Sequence, residues 1–194
     1  FEESFLPEEL NNAFVVCSER FESSYLENLG NGKFRITSLP LVAQFSPVYG
    51  MVTGDFNQDN KLDVLLVGNS YAPGKGGFEP VPVEHSGFMA DGDAKGLAKL
   101  MMGDGREIII VGNNDSATQT FVMNQAGNYY RAEKDDAYAL VTRKDGSVYK
   151  HEFYYGSTYL SQSSRVLKFS SDMISAKVFD FKGNEKEVTS TINN

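Results

Sequence analysis

The sequence predicts an all-β protein: two antiparallel sheets of similar plan in the first two thirds and a smaller antiparallel module at the end. Three observations predict it. Gly30-Asn31-Gly32-Lys33-Phe34 recurs as Gly74-Lys75-Gly76-Gly77-Phe78, and Val67-Gly68-Asn69 recurs as Val111-Gly112-Asn113, both at an offset of 44 residues. That spacing is typical of β-propeller blades, each of which is one small sheet. The last third carries two hairpin signals, Asp145-Gly146 and Gly183-Asn184, each between strand-like runs. Finally, 41% hydrophobic and 12% aromatic residues with 18 glycines suit a globular chain rich in strands and turns.

Within each copy of the repeat, a Gly-rich turn is followed by a short strand (Phe34 to Leu39; Phe78 to Val83). Next come a Gly-Asp step (Gly54-Asp55; Gly92-Asp93) and an apolar strand (Val64 to Val67; Ile108 to Val111). A closed propeller needs at least four blades and this chain supplies at most two, so the expectation is an incomplete propeller. Between Tyr71 and Gly74 there is barely room for a turn where a blade needs another strand. The expected divisions are an N-terminal helix and strand segment over 1–20, the two repeats over 21–126, and the β module over 127–194. The N-terminal helix is read from Pro7 to Phe14, with Pro at its start and Glu8 and Glu9 in the first turn. It would pack Leu6, Leu10 and Phe14 against the first sheet and cover an open strand edge.

The stretch from Asp55 to Asp63 is the richest in chemistry. Asp55, Asn57, Asp59 and Asp63 place oxygen-bearing side chains at positions 1, 3, 5 and 9 of one loop, and a backbone carbonyl near Lys61 fills a gap. Calcium takes six to eight oxygen ligands, and a loop of this pattern wraps around it. An EF-hand would close with a bidentate Glu at position 12, but Leu66 stands there and a β-branched strand follows, so the loop belongs to a β-structure. The alternative is an Asx-rich turn that needs no metal. In the second copy Asp93 is followed by Ala94, Lys95 and Gly96, which cannot bind calcium in the same way.

These residues carry a resemblance. Tyr25 to Phe34, followed by Gly54-Asp55-Phe56-Asn57-Gln58-Asp59-Asn60-Lys61-Leu62-Asp63, resembles the FG-GAP or VCBS repeat over roughly residues 21 to 125. That family implies blades of integrin-type propellers whose D-x-[DN]-x-D-G-x-x-D loop holds calcium. Asn60 replaces the usual Gly, and Asn also tolerates left-handed backbone angles. Gly156-Ser157-Thr158-Tyr159-Leu160-Ser161-Gln162-Ser163-Ser164-Arg165 is similar to the G-S-x-Y-L-S-Q-S motif of the ASPIC/UnbV domain, a β-module that follows VCBS repeats in secreted and surface proteins. This second resemblance spans about residues 137 to 187. Together they imply an extracytoplasmic location and a fragment of a longer protein.

Ser157, Tyr159, Ser161, Gln162 and Arg165 have the hydroxyl, amide, guanidinium and aromatic groups to line a shallow ligand site for sugar hydroxyls or a carboxylate. The competing reading is that the serines and Gln162 satisfy backbone groups in an irregular crossing between hairpins. Tyr149, His151, Phe153 and Tyr155 alternate along one strand face and read as core rather than as a carbohydrate platform.

Catalytic signals are sparse. His85 and His151 lie far apart, no G-x-S-x-G elbow exists, and the stretch from Gly68 to Lys75 misses the phosphate-loop spacing. Paired carboxylates for glycoside hydrolysis need only a cleft of the right width, and no pair stands out. Asn114-Asp115-Ser116 forms a glycosylation triplet, a pattern common by chance. A formal charge of −8 disfavours nucleic acid as partner. No apolar run approaches the roughly 18 residues of a membrane span, and the N-terminus lacks the pattern of a signal peptide. Cys17 stands alone, which excludes an internal disulfide. The expectation is a non-catalytic binding or adhesion module with a protein or glycan ligand and a structural calcium loop. A carbohydrate-binding part of a polysaccharide-utilisation system is the alternative, and a hydrolase using acidic residues is a third. Nothing in the sequence fixes the oligomeric state.

Overall fold

The computed structural model describes residues 6, 11, 14, 16–57, 59, 61–68, 79 and 81–189. Strands make up 46% of it against 5% helix, in several small antiparallel sheets with no closed barrel, so the all-β class holds. Among the described residues no helix is long and apolar enough to cross a membrane. The expected helix from Pro7 to Phe14 lies mostly outside the described residues, as do Gly74 to Phe78.

The first hairpin pairs β1 (Ser24–Gly30) with β2 (Lys33–Ser38). Its turn runs through positive φ at Gly30, Asn31 and Gly32, which explains why the tip needs Gly-Asn-Gly. Leu26, Phe34 and Ile36 share one face of this hairpin and stay more than half exposed. A 3-10 turn, Leu41–Gln44, leads to a second hairpin of β3 (Gly50–Gly54) and β4 (Asp63–Val67). The register runs from Gly50 opposite Val67 to Gly54 opposite Asp63, so the Asp/Asn-rich loop is the connection of this hairpin. A three-stranded sheet follows, with β5 (Ala94–Met101) on one edge, β6 (Glu107–Asn113) in the centre and β7 (Gln119–Val122) on the other edge.

The second hairpin packs on this sheet through Val52, Val67, Ala94, Leu97, Ile109 and Val111, with Phe56, Leu65, Phe88 and Phe121 at the rim. Alternation along β6 buries Glu107, Ile109 and Val111. Close approach is possible because Gly50 has no side chain: a Cβ there would lie 2.5 Å from Leu97 Cβ and 2.8 Å from the Leu97 nitrogen.

Two expectations are corrected. Of the expected strand from Phe78 to Val83, Phe78 and Pro80 lie outside the described residues, and the described residues 79 and 81–83 form no strand; Val83–Ser86 forms a single helical turn capped by Pro82 and closed by left-handed Gly87. Pro80 and Pro82 deny that stretch the donors a strand needs. The two Gly-Asp steps also occupy different places. Asp55 follows the end of β3, whereas Asp93 immediately precedes β5. The β5–β6 connection that matches the Asp55 loop in the order of strands is Met102 to Arg106, where Asp104 Oδ2 pairs with Arg106 at 2.8 Å.

A separate core lies toward the C-terminus. Here β9 (Asp136–Arg143), β10 (Val148–Glu152), β12 (Met173–Asp180) and β13 (Glu185–Val188) form a sheet in the order β10-β9-β12-β13. The pair β8 (Tyr129–Arg131) and β11 (Val166–Lys168) packs with it. Ala139, Val141, Phe153, Leu167, Ala176 and Val178 are buried between them. Both predicted hairpins are present, and Gly146 and Gly183 adopt positive φ at their turns.

Candidate functional site

The β3–β4 connection is built from side chains that accept hydrogen bonds from their own backbone. The Asp59 amide donates to Asp55 Oδ1 at 3.1 Å and to Asn57 Oδ1 at 3.0 Å, which draws these two oxygens toward one point. Asp59 Oδ1 accepts from the Lys61 amide at 2.8 Å, and Asp63 Oδ2 accepts from the Phe56 amide at 2.9 Å. The Lys61 ammonium stands 3.8 Å from Asp59 Oδ2, in an exposed pair of little energetic weight. The donors are all oxygen, as a hard cation requires. The carboxylates of Asp59 and Asp63 are nevertheless turned onto backbone amides. Among the described residues no three His, Cys, Asp or Glu side chains stand together as a metal site. Asn57 and a Lys61 carbonyl lie outside that set.

In the second copy a cation is already built into the chain. Lys95 Nζ lies 2.7 Å from Asp93 Oδ1 and 4.2 Å from the centre of the Tyr49 ring. The hydrogen-bonded ammonium holds the Asp93 carboxyl below its usual range. Asn114 closes the arrangement by donating to Asp93 Oδ2 at 3.2 Å.

The polar loop between the C-terminal hairpins runs along the edge of β5, which belongs to the other core. Ser161 Oγ accepts from the Leu97 amide at 3.2 Å, Ser163 Oγ from Lys99 at 3.0 Å and Ser164 Oγ from Met101 at 3.0 Å. Thr158 donates its hydroxyl to the Leu97 carbonyl, and the Ser164 amide donates to the Lys99 carbonyl. The serine motif thus satisfies the backbone of a neighbouring strand that lies 63 or 64 residues away in sequence.

The other members of the proposed ligand set are also engaged. Ser157 Oγ accepts from the Ser163 amide at 2.9 Å. Gln162 accepts from the Gly156 amide and donates to the Tyr154 and Ser163 carbonyls. Arg165 donates to the carbonyls of Phe153, Glu133 and Asp136 and to the Tyr155 hydroxyl, and its guanidinium stacks on the Tyr155 ring at 3.9 Å. A ligand carboxylate would have to displace these bonds. Tyr159 and Leu160 differ: they form the tip of a tight turn closed by the Thr158–Ser161 bridge, and they are 62% and 84% exposed. Leu160 sits at φ 49°, an uncommon backbone angle for a bulky side chain.

Tyr149, His151 and Phe153 face the core as expected, while Tyr155 leaves it at 60% exposure. Sequence reading missed two charged clusters. Glu107, only 5% exposed, is held by Lys99 at 3.1 Å and Lys168 at 3.2 Å. Asp136, 3% exposed, accepts from the Tyr130 hydroxyl at 2.5 Å and the Glu133 amide at 2.7 Å and pairs with Lys186 at 3.0 Å. Strand alternation alone would have placed Glu107 inward with Ile109 and Val111, and that was the available signal. Comparison with known protein families, with curated proteins and with solved structures finds no match to this chain.

Proposed function

We propose that this chain is a non-catalytic, extracytoplasmic binding module whose β3–β4 connection is a structural calcium loop. The observation that carries the reading is the convergence of Asp55 Oδ1 and Asn57 Oδ1 on the single Asp59 amide. Asp55, Asn57, Asp59, Asp63 and the Lys61 backbone would hold the ion. A divalent cation there would offset the mutual repulsion of three carboxylates. The chain's own residues supply the frame: the β3–β4 ladder fixes Asp63 opposite Gly54, and Phe56 anchors the loop on the core.

The test is calcium-dependent thermal unfolding. Extracellular sites of this kind bind at about 10⁻⁴ to 10⁻³ M. At ten times the dissociation constant the folded state gains about 1.4 kcal/mol, a rise in Tm of roughly 3 to 6 °C. Asp55→Ala and Asp59→Ala should abolish the rise. A wild-type chain indifferent to calcium at 10 mM, about tenfold above the weaker limit, would refute the site.

For the ligand, the exposed Tyr159–Leu160 tip favours a protein surface with an apolar recess, because it presents aromatic and aliphatic area on a turn held by the serine bonds. Tyr154, 62% exposed, favours the carbohydrate alternative as a stacking face. A glycan array separates the two: binding lost on Tyr154→Ala supports the carbohydrate reading.

A further inference from the structure

Thr158, Tyr159, Leu160 and Ser161 form one tight turn, and a single residue of β5 holds both of its ends. The Leu97 amide donates to Ser161 Oγ at 3.2 Å, and the Thr158 hydroxyl donates to the Leu97 carbonyl at 3.3 Å. The Ser161 hydroxyl in turn donates to the Tyr159 carbonyl at 3.1 Å, so one oxygen joins β5 to the backbone of the tip. Leu97 is fully buried in the N-terminal core. Its neighbour Gly96 makes the close approach possible, because a Cβ there would stand 3.1 Å from Ser161 Oγ.

The turn needs such support. Leu160 sits at φ 49° in the third place of the turn, where Gly or Asn normally supplies a positive angle. A left-handed angle in a bulky residue persists only where its surroundings offset the strain. Side-chain burial does not offset it, since Leu160 is 84% exposed. Within the loop, the Ser161 amide donates to the Thr158 carbonyl and the Ser157 amide to the Ser161 carbonyl, both at 3.1 Å. The further anchors, Ser163 and Ser164, again fall on β5, at Lys99 and Met101. No sheet contains strands of both cores and their apolar clusters share no residue, so the loop is held on β5 by hydrogen bonds rather than by a common core.

We propose that Leu97 and Ser161 are positioning residues for the Tyr159–Leu160 tip: docking of the 157–164 loop on β5 sets the left-handed turn, and the turn relaxes when the loop lifts. The N-terminal sheet thereby controls the shape of a surface that belongs to the C-terminal module. A preformed tip binds with less ordering cost than a loose one. That use rests on the reading of the tip as a ligand contact, whereas the coupling between loop and turn stands without any ligand.

The test is the double variant Ser163→Ala, Ser164→Ala in the whole chain, which loosens the loop and leaves the four turn residues unchanged. NMR supplies both readouts: amide exchange along β5, and the sign of φ at Leu160 from backbone scalar couplings. Exchange at Lys99 and Met101 should be about fivefold faster, the loss of one net hydrogen bond each. Exchange at Val111 and Val141, on strands paired on both sides, should be unchanged, and the Leu160 couplings should shift toward negative φ. Coupling is reciprocal. Leu160→Asn, which accepts a left-handed angle more readily, should therefore slow exchange at Leu97 by about threefold, a fraction of the left-handed penalty. Faster exchange at Lys99 and Met101 with Leu160 still left-handed overturns the proposal, because the turn then holds itself. Unchanged exchange at those two amides overturns it as well, and so does a Leu160→Asn chain in which Leu97 exchanges no more slowly. If Val111 and Val141 accelerate equally, the double variant is unfolding as a whole, and Ser164→Ala alone decides at Met101 and Leu160; any pattern there other than faster exchange with a relaxed Leu160 overturns the proposal. Neither readout involves a glycan or protein ligand, so failure of the ligand reading leaves both intact.

Discussion

The ammonium of Lys168, on β11, lies 3.2 Å from Glu107 Oε2, on β6, and so ties the C-terminal core to the three-stranded sheet of β5, β6 and β7. Lys99 holds the other oxygen at 3.1 Å. Burial pushes the Glu107 carboxyl up, but the two lysines more than offset this and leave it below the ordinary 4.5. A lowered carboxyl contributes stability that is present above the unfolded value and lost as pH falls through the folded one. Glu107→Gln should therefore flatten the stability profile below about pH 4.5. At neutral pH it should cost about 2 to 4 kcal/mol, because two lysines are left without their counter-charge. Urea melts at a series of pH values check both.

The Tyr130–Asp136 bond predicts a loss at the opposite end of the pH scale. Burial raises the Tyr130 hydroxyl, and its bond to the Asp136 carboxylate raises it further. A raised phenol contributes stability that is present below its unfolded value of 10.0 and lost as pH rises through the folded one. Tyr130→Phe should remove that alkaline dependence. It should also cost about 1.5 to 3 kcal/mol at neutral pH, the range for a hydrogen bond to a charged acceptor. The measurement is denaturant unfolding at pH 7 and above pH 10.

Much of the fold was legible because it is local. Asp145-Gly146 and Gly183-Asn184 encode their turns in adjacent residues, and Asp145 and Asp180 accept from the amides that follow them. The apolar runs Val64 to Val67 and Ile108 to Val111 lie within β4 and β6. What escaped was non-local. Nothing adjacent to Ser161, Ser163 and Ser164 announces that their hydroxyls accept from the amides of Leu97, Lys99 and Met101, since that match depends on how two cores dock. The pairing of Gly54-Asp55 with Gly92-Asp93 failed for a related reason: the dipeptide recurs, but its place relative to the strand does not. The calcium loop was legible as a pattern of oxygens. The hydrogen bonds that turn Asp59 and Asp63 toward amides depend on φ and ψ, which the pattern does not specify.

Gly50 faces Leu97 where β3 crosses β5, and a methyl group there would have to displace Leu97 or Val67, both buried. Gly50→Ala should cost about 1 to 3 kcal/mol through overpacking. Scanning calorimetry should show Tm falling by roughly 3 to 10 °C. Gly32→Ala is the control. Nothing lies within 4 Å of its added carbon, but φ is 71°, so the cost is backbone strain alone and the core packing is unaffected.

His151, on β10, reaches across to β11, with Nε2 3.0 Å from the Val166 carbonyl. Burial pushes its pKa below 6.5; the Val166 carbonyl opposes this, Lys99 adds to the depression and Glu152 works against it. The ring also packs edge-on against Phe153 at 5.2 Å, inside the C-terminal core. A histidine with a depressed pKa favours the neutral folded state, so its contribution is complete above about pH 6.5 and declines as pH falls through the folded value. Stability should therefore drop on acidification from pH 7 to 5, before the carboxylates titrate. His151→Phe should remove that slope while lowering stability by a constant amount, because the Val166 carbonyl loses its partner at every pH. Urea midpoints for both proteins between pH 5 and 8 check this. Parallel curves would mean that His151 is not the group that titrates.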